Sequence, residues 1–328
     1  MLPGGKGQVV PKIDEIARPP HSLLRVKTSR IPAGQNLQFQ SETKKISYPG
    51  GVMTDSALSF AAFERHGWES PETVAAYHAL APQITTQSAQ AMLDAADVID
   101  GKRVLDIACG AGYLAHAAAL RGADATGVDF SSAQVALARQ HYPNLNFEQG
   151  DALSLPFAQH TFDAVLCGFG MCHVADPQAA LNEAFRVLKP GGRLAFSVWA
   201  GPQRAVAFGV LYAAIAKHGT ADVGLPQGPA FFMFSDHAVA ASSLQAAGFT
   251  DVAVSEAPQF MRGRNPDELF DKILQGSVRA AATLKAQTPQ AIAEIRKALS
   301  ELATRFTNDG EFAVPAPAVV SSGMRPRH

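Results

Sequence analysis

RVLDIACGAGYLA, running from Arg103 to Ala115, is the stretch on which the reading of this chain turns. Val104, Leu105 and Ile107 form a short apolar run of the kind that fills a parallel strand buried on both faces. Asp106 stands at its tip, and Gly110 and Gly112 permit a tight turn into a helix beginning near Tyr113. Glycine matters there because a side chain would hold the backbone away from whatever lies over the turn. Gly110-x-Gly112-x-x-Ala115 alone also fits the loose dinucleotide-binding pattern. Asp106 argues against that reading, since a pyrophosphate favours the bare positive end of a helix and a carboxylate at the strand tip would repel it. A ligand carrying an amino group and a sulfonium would be attracted instead, which points to S-adenosylmethionine.

Composition narrows the field. The 328 residues suffice for one large domain or two small ones with a full core. With 28 basic and 29 acidic residues, the net charge of −1 gives no electrostatic reason to expect nucleic acid or an anionic membrane as partner. Cys109, Cys167 and Cys172 form no zinc-like pattern, and so few cysteines suggest a reducing compartment. No secretory leader opens the chain. The longest uncharged apolar run, Ala205 to Ala216, is too short to cross a bilayer. A cytoplasmic protein without a membrane span is expected.

Residues 1–50 are rich in Pro, Gly, Lys and Gln and hold no apolar period, so they read as a disordered or artificial leader. Gln35 to Ser41 resembles an engineered protease site save at two positions. Residues 51–328 form the folded domain. Ser70-Pro71-Glu72 is a helix start, and the helix carrying Tyr77 leads into another over about 82–98. Strands are expected at 103–108, 124–129, 145–149, 162–168 and 192–199, with helices at 112–121, 131–142 and 177–188 between them. Such alternation implies a parallel sheet covered on both faces. Beyond Trp199 come a helix at 203–217, a Gly/Pro-rich loop, and the cluster Phe231-Phe232-Met233-Phe234. Ser235 opens a helix that Gly248 ends, a strand lies near 251–257, and Asn265-Pro266-Asp267-Glu268 opens another helix. Ile292, Ile295, Leu299, Leu302 and Phe306 mark an amphipathic helix behind Thr288-Pro289. Glu311 to Val320 reads as a last strand.

Three further acid or glycine positions sit at strand ends. Asp129 closes the second strand, where a carboxylate accepts hydrogen bonds from a ribose diol. Asp151 follows the third strand and suits an adenine amino group, with the amide of Ala152 facing a ring nitrogen. Cys167-Gly168-Phe169-Gly170 ends the fourth, and its glycines suggest a ligand lying against backbone. Leu188-Lys189-Pro190-Gly191-Gly192 is a structural turn into the fifth.

Together these motifs resemble the class I S-adenosylmethionine-dependent methyltransferases, nearest the methyltransferase type 11 branch that includes ubiquinone/menaquinone-biosynthesis enzymes. LDIACGAG (105–112) matches the motif that holds the methionine part, GVDFS (127–131) the ribose acid, GDALSLPF (150–157) the adenine-side acid, and FDAVLCGFGMCHVADP (162–177) the motif after strand four. LKPGGRLAFSVW (188–199) matches the turn into strand five. The match covers about 70–200. It implies a Rossmann-like, seven-stranded, mostly parallel sheet with helices on both faces and a helical lid. The core would span about 83–200, and lid or substrate elements about 54–82, 203–234 and 265–307. The cofactor implied is S-adenosylmethionine, bound by Asp106, Ala108, Gly110, Gly112, Asp129, Phe130, Asp151, Ala152, Cys167, Gly168 and Tyr77; no metal is implied. The reaction implied is methyl transfer to a small apolar or aromatic acceptor, with carbon or oxygen favoured over nitrogen.

Each residue has a plainer reading beside the functional one. Asp106 and Asp129 could cap helices, Asp151 could be a solvated loop acid, Tyr77 could pack the sheet edge, and Cys167 and Cys172 could be small buried fillers. Phe231 to Phe234 and Met261 could be core, or with Phe208, Leu211 and Tyr212 could roof the acceptor, Phe232 contacting it. His173 could act as general base toward a phenol or enol, or could only hold its loop. An NAD(P)-dependent oxidoreductase shares Gly110, Gly112 and Asp129, and a non-catalytic cofactor-binding regulator would share every motif.

Overall fold

The five repeated strands form one parallel sheet because their side chains alternate between two apolar layers. In the computed structural model, which describes residues 46–48, 51–53, 55–80 and 82–327, these are β3 (Arg103–Ile107), β4 (Asp124–Asp129), β5 (Asn146–Gln149), β6 (Phe162–Gly168) and β7 (Leu188–Trp199). Val104, Ala164, Leu166 and Ala195 face one layer; Leu105, Val165, Cys167, Leu194 and Phe196 face the other. The first layer is covered by α4 (Ala89–Ala95), α5 (Tyr113–Leu120) and α6 (Ser132–His141), the second by α7 (Pro177–Val187) and α9 (His237–Ala246). Helix α5 presents Ala115 and Ala118 to the sheet, small side chains that let it approach closely.

The strand order is β5-β4-β3-β6-β7-β12-β8, with β8 at Thr250–Ala257 and β12 at Ala318–Met324. β12 runs antiparallel to both β7 and β8, while the other pairings are parallel. The sheet is therefore seven-stranded and mostly parallel. The chain winds outward in opposite directions from β3, so a crevice opens between β3 and β6 at their carboxyl ends, where ligands of open α/β sheets bind.

The remaining elements surround that edge. They are α1 (Asp55–Glu69), α2 (Pro71–Leu80), α3 (Pro82–Thr85), α8 (Val206–His218), α10 (Glu268–Gly276), α11 (Val278–Lys285) and α12 (Pro289–Arg305). A second sheet of β10 (Thr307–Asn308), β11 (Glu311–Pro315) and β9 (Phe260–Gly263) joins them. Ile84, Phe208, Leu211, Ile273, Ile295, Leu299 and Phe312 build a hydrophobic cluster of their own there. Of the leader expected over 1–50, residues 1–45, 49 and 50 lie outside the described residues. Ile46–Tyr48 (β1) pair antiparallel with Gly51–Met53 (β2).

Three expected elements divide. The helix expected over 82–98 is broken into α3, a tight turn at Thr86–Ser88, and α4. Gln87 leaves the helical pattern because its amide bonds both the N–H and the C=O of Phe260. The helix opened at Asn265 breaks at extended Ser277, whose hydroxyl caps α11. The last strand expected over 311–320 is two strands in different sheets. Pro315 and Pro317 lack the N–H groups that a continuous ladder needs, and Ala316 N–H instead reaches the carbonyl of Gln259 at 2.8 Å.

Gly112 illustrates how tightly the first turn is built. Its φ is +84°, and a β-carbon there would stand 2.6 Å from the ring of Phe147. Gly112→Ala combines left-handed strain with overpacking, together costing roughly 2–4 kcal/mol. Calorimetry should show the melting temperature fall by about 5–10 °C; an unchanged melt would refute the packing described.

Candidate active site

The glycine turn after β3 carries a left-handed backbone at three positions, Ala108 (φ 53°), Gly110 (φ 52°) and Gly112 (φ 84°). This curls the chain around the end of β4. Gly110 N–H donates to Asp129 Oδ2 and Ser131 N–H to Asp129 Oδ1, both at 2.9 Å. Each carboxylate oxygen thus keeps lone-pair capacity for a further donor. Burial, countered partly by these two backbone bonds, lifts Asp129 to about 6, so it is ionised at neutral pH.

Beside this turn lies a cleft with about 930 Å³ of non-atom space, counting its mouth. Ala108, Gly110, Asp129, Phe130, Gly168, Tyr77 and His173 line it. Seven of the twelve residues expected at the site therefore meet there. The other five, Asp106, Gly112, Asp151, Ala152 and Cys167, do not line it. Asp106 is 1% exposed beneath the turn, where its Oδ2 accepts the N–H of Ala115 at 3.0 Å. Burial lifts it to about 8, and its Oδ1 is buried without a hydrogen-bond partner among the described residues. Its place is under the turn and the start of α5, the capping alternative. Gly112 likewise shapes the turn. Asp151 pairs with Arg65 at 3.1 Å and is 41% exposed, while Ala152 packs on the sheet cluster. Cys167 is wholly buried because strand alternation points it into that same layer.

Much of the remaining lining is aromatic. Trp68, Trp199, Phe208 and Phe231 line the cleft together with Ile84, Met261 and Ile273. Tyr77 stands edge-on to Trp68 at 5.0 Å, and its hydroxyl, hydrogen-bonded to Thr85, is pushed above its ordinary value by burial. The aromatic run divides: Phe231 lines the cleft, Phe232 packs on the peripheral cluster, and Phe234 enters the sheet core. Phe232 is thus not the residue facing the acceptor, and Tyr212 is 45% exposed beside Phe232 rather than overhead.

His173 sits in this lining with a partner that the sequence did not reveal. Its Nδ1 lies 3.0 Å from Glu64 Oε2, which also accepts the indole N–H of Trp68 at 3.1 Å. Glu64 is 2% exposed on α1. Burial alone would push the imidazole down, but neighbouring Cys172 and the Glu64 carboxylate outweigh it and hold His173 well above its ordinary value. Such a shift favours the protonated ring over the neutral one. Gln134, Thr85, Lys272 and Ser277 are further polar lining groups that the sequence reading did not single out. Among the described residues no cluster of metal-ligating side chains occurs.

The sequence pattern of the methyltransferase domain matches residues 105–196, from β3 into β7. This stretch of the chain is similar to a methyltransferase domain. Over 111 residues the chain is 40% identical to the demethylmenaquinone methyltransferase of Renibacterium salmoninarum, a stretch covering 34% of this chain and 47% of that protein. Over 120 residues it is 41% identical to the 2-phytyl-1,4-naphtoquinone methyltransferase of Thermosynechococcus vestitus, covering 35% and 53%. The chain spans about half the length of these curated relatives. Among solved structures, phosphoethanolamine N-methyltransferase 2 of Haemonchus contortus in complex with S-adenosyl-L-methionine superposes with a TM-score of 0.50 at 18% identity. That overlap covers 84% of this chain and 62% of the other, and it shows the shared fold of the methyltransferase domain.

Proposed function

We propose that this chain transfers the methyl group of S-adenosylmethionine to a small aromatic acceptor, with oxygen or carbon as the atom methylated. The observation that carries the reading is the mixed lining of one cleft. It brings together the buried Asp129, the bare backbone of Gly110 and Gly168, and aromatic rings around His173. The residues present fit the cofactor. Asp129 would accept from the ribose hydroxyls, Phe130 would lie toward the adenine, and Ala108 and Gly110 toward the methionyl part. Asp151, held by Arg65, lies farther out at the adenine end.

S-adenosylmethionine supplies a methyl already activated on sulfonium, so the bond from acceptor to carbon forms as the carbon–sulfur bond breaks. The protein's part is alignment, worth much of the barrier in such displacements. Trp68, Trp199 and Phe231 would hold the acceptor ring flat and exclude water. His173, held by Glu64, would stabilise a phenolate or enolate oxygen as it forms.

A nicotinamide reading is disfavoured because Gly110 N–H is committed to Asp129 instead of facing a phosphate. The core of about 83–200 would bind cofactor while 54–82, 203–234 and 265–307 close over acceptor, a division supported by the separate peripheral cluster. We also place the protein in small-molecule metabolism in the cytoplasm, a setting supported by three buried, unpaired cysteines. Among the described residues no helix is long and apolar enough to cross a membrane.

Calorimetry with S-adenosylhomocysteine and with NADH, followed by mass spectrometry of phenol and quinol panels, tests the reading. Binding of the former alone, and a gain of one methyl on an acceptor, are expected. Binding without turnover across the panels would favour the regulatory alternative; binding of NADH would overturn the proposal.

A further inference from the structure

Helix α10 turns Leu269, Phe270 and Ile273 into the peripheral cluster, and Lys272 falls among them. Its side chain is only 7% exposed, which is rare for lysine, whose ammonium usually snorkels to water. The ion pair it makes is poor compensation. Among the described residues its polar partner is Glu268 Oε2, at 3.7 Å, beyond hydrogen-bond reach. Glu268 is itself 42% exposed, and its other oxygen accepts the N–H of Asn265 at 3.0 Å. A solvated carboxylate one turn away stabilises a surface lysine adequately, but leaves a buried one short of partners.

Lys272 lines the same cleft as His173, Trp68, Trp199, Phe231 and Met261. The carboxylate that does line the cleft, Asp129, is committed to the N–H groups of Gly110 and Ser131. A cation in a low-dielectric apolar wall attracts an anion far more strongly than one at the surface.

We propose that the acceptor is an aromatic molecule bearing a carboxylate, and that Lys272 is the residue that selects it. The ring lies among the tryptophans and Phe231, the carboxylate pairs with Lys272, and the reacting oxygen or carbon is turned toward His173 and the methyl. This rests on the methyl-transfer reading above, and adds a charge requirement that the aromatic lining by itself does not impose.

The test uses the full chain loaded with S-adenosylhomocysteine and titrated with meta-hydroxybenzoate and its near-isostere meta-hydroxybenzamide. Wild type should bind the carboxylate at least ten-fold more tightly. Lys272→Met keeps the packed stem and removes the charge. It should cut the preference to within two-fold, leave S-adenosylhomocysteine affinity unchanged, and melt no lower than wild type. Glu268→Gln removes the competing carboxylate and should keep or strengthen the preference, which provides a readout even if Lys272→Met folds poorly. Equal affinity of wild type for the two compounds, binding of neither, or the same preference in a folded Lys272→Met would overturn the proposal. So would loss of the preference in Glu268→Gln. Failure of wild type to bind S-adenosylhomocysteine would overturn the methyl-transfer reading, and this proposal with it.

Discussion

Asp129→Asn is expected to weaken S-adenosylhomocysteine binding ten-fold or more at pH 7.5, measured by calorimetry. Hydrogen bonds to a charged acceptor contribute about 1.5–3 kcal/mol each, so losing even one strong bond to the ribose suffices. Alanine would be a cruder probe, because it would also strip the acceptor from the N–H groups of Gly110 and Ser131. Asparagine keeps one oxygen there. Wild type should show a pH signature that the variant lacks. Burial lifts Asp129 to about 6 from 3.8, so cofactor affinity should decline as pH falls below about 6, by up to ten-fold per unit. Its effect on the stability of the free protein runs the opposite way. The folded chain holds the proton that the unfolded chain releases near 3.8, so this contribution is full below that pH and is lost as pH rises through about 6. Affinity that is flat between pH 5 and 8, or equal in the variant, would remove Asp129 from the ribose.

What the sequence disclosed is what depends on local periodicity and short motifs. Val104 beside Leu105, and Leu166 beside Cys167, fill both faces of their strands, and that alone declares a buried parallel sheet. The same alternation supports the filler reading of Cys167, which shares its face with Val165 and enters the core while Gly168 meets the cleft. Asp106 could be read from its strand tip either as a cofactor contact or as a cap, because its depth and its bond from Ala115 N–H are set by packing that the sequence does not spell out. Phe231 and Phe232 could not be told apart, since they lead into a single tight turn at Met233–Ser235 in which no period of two or 3.6 applies. Glu64 and Lys272 were invisible for another reason. Each is one charged residue on an otherwise ordinary helix, and only tertiary packing decides that its side chain turns inward. Glu64 meets a partner 109 residues away.

Glu64→Gln is expected to have the largest effect on catalysis, because the carboxylate maintains the charge on His173. Glutamine retains an oxygen for the indole N–H of Trp68, so the variant should fold and bind S-adenosylhomocysteine nearly as wild type does. Without the carboxylate only Cys172 still opposes burial at His173, so the balance shifts toward the neutral ring. The cation that would steady an acceptor oxygen is then depleted at neutral pH. Turnover should fall by roughly 10²-fold or more, the range typical of losing one preorganised donor to a charged oxygen. The pH profile separates this from simple disorder of the loop. A required cation gives a rate that declines as pH rises through its pKa, and in wild type that decline should lie well above the ordinary histidine range. In Glu64→Gln the alkaline limb should move to lower pH, so that activity partly recovers in more acidic buffer. His173→Gln should lose the limb altogether. Stability follows the same group: the raised imidazole contributes most below the unfolded value of 6.5 and loses that contribution as pH rises through the folded one. The pH dependence of the melting temperature should therefore flatten on the alkaline side in Glu64→Gln. Turnover within a few-fold of wild type with an unmoved profile would make Glu64 and His173 a structural clasp between α1 and the loop after β6, and alignment alone would carry the reaction.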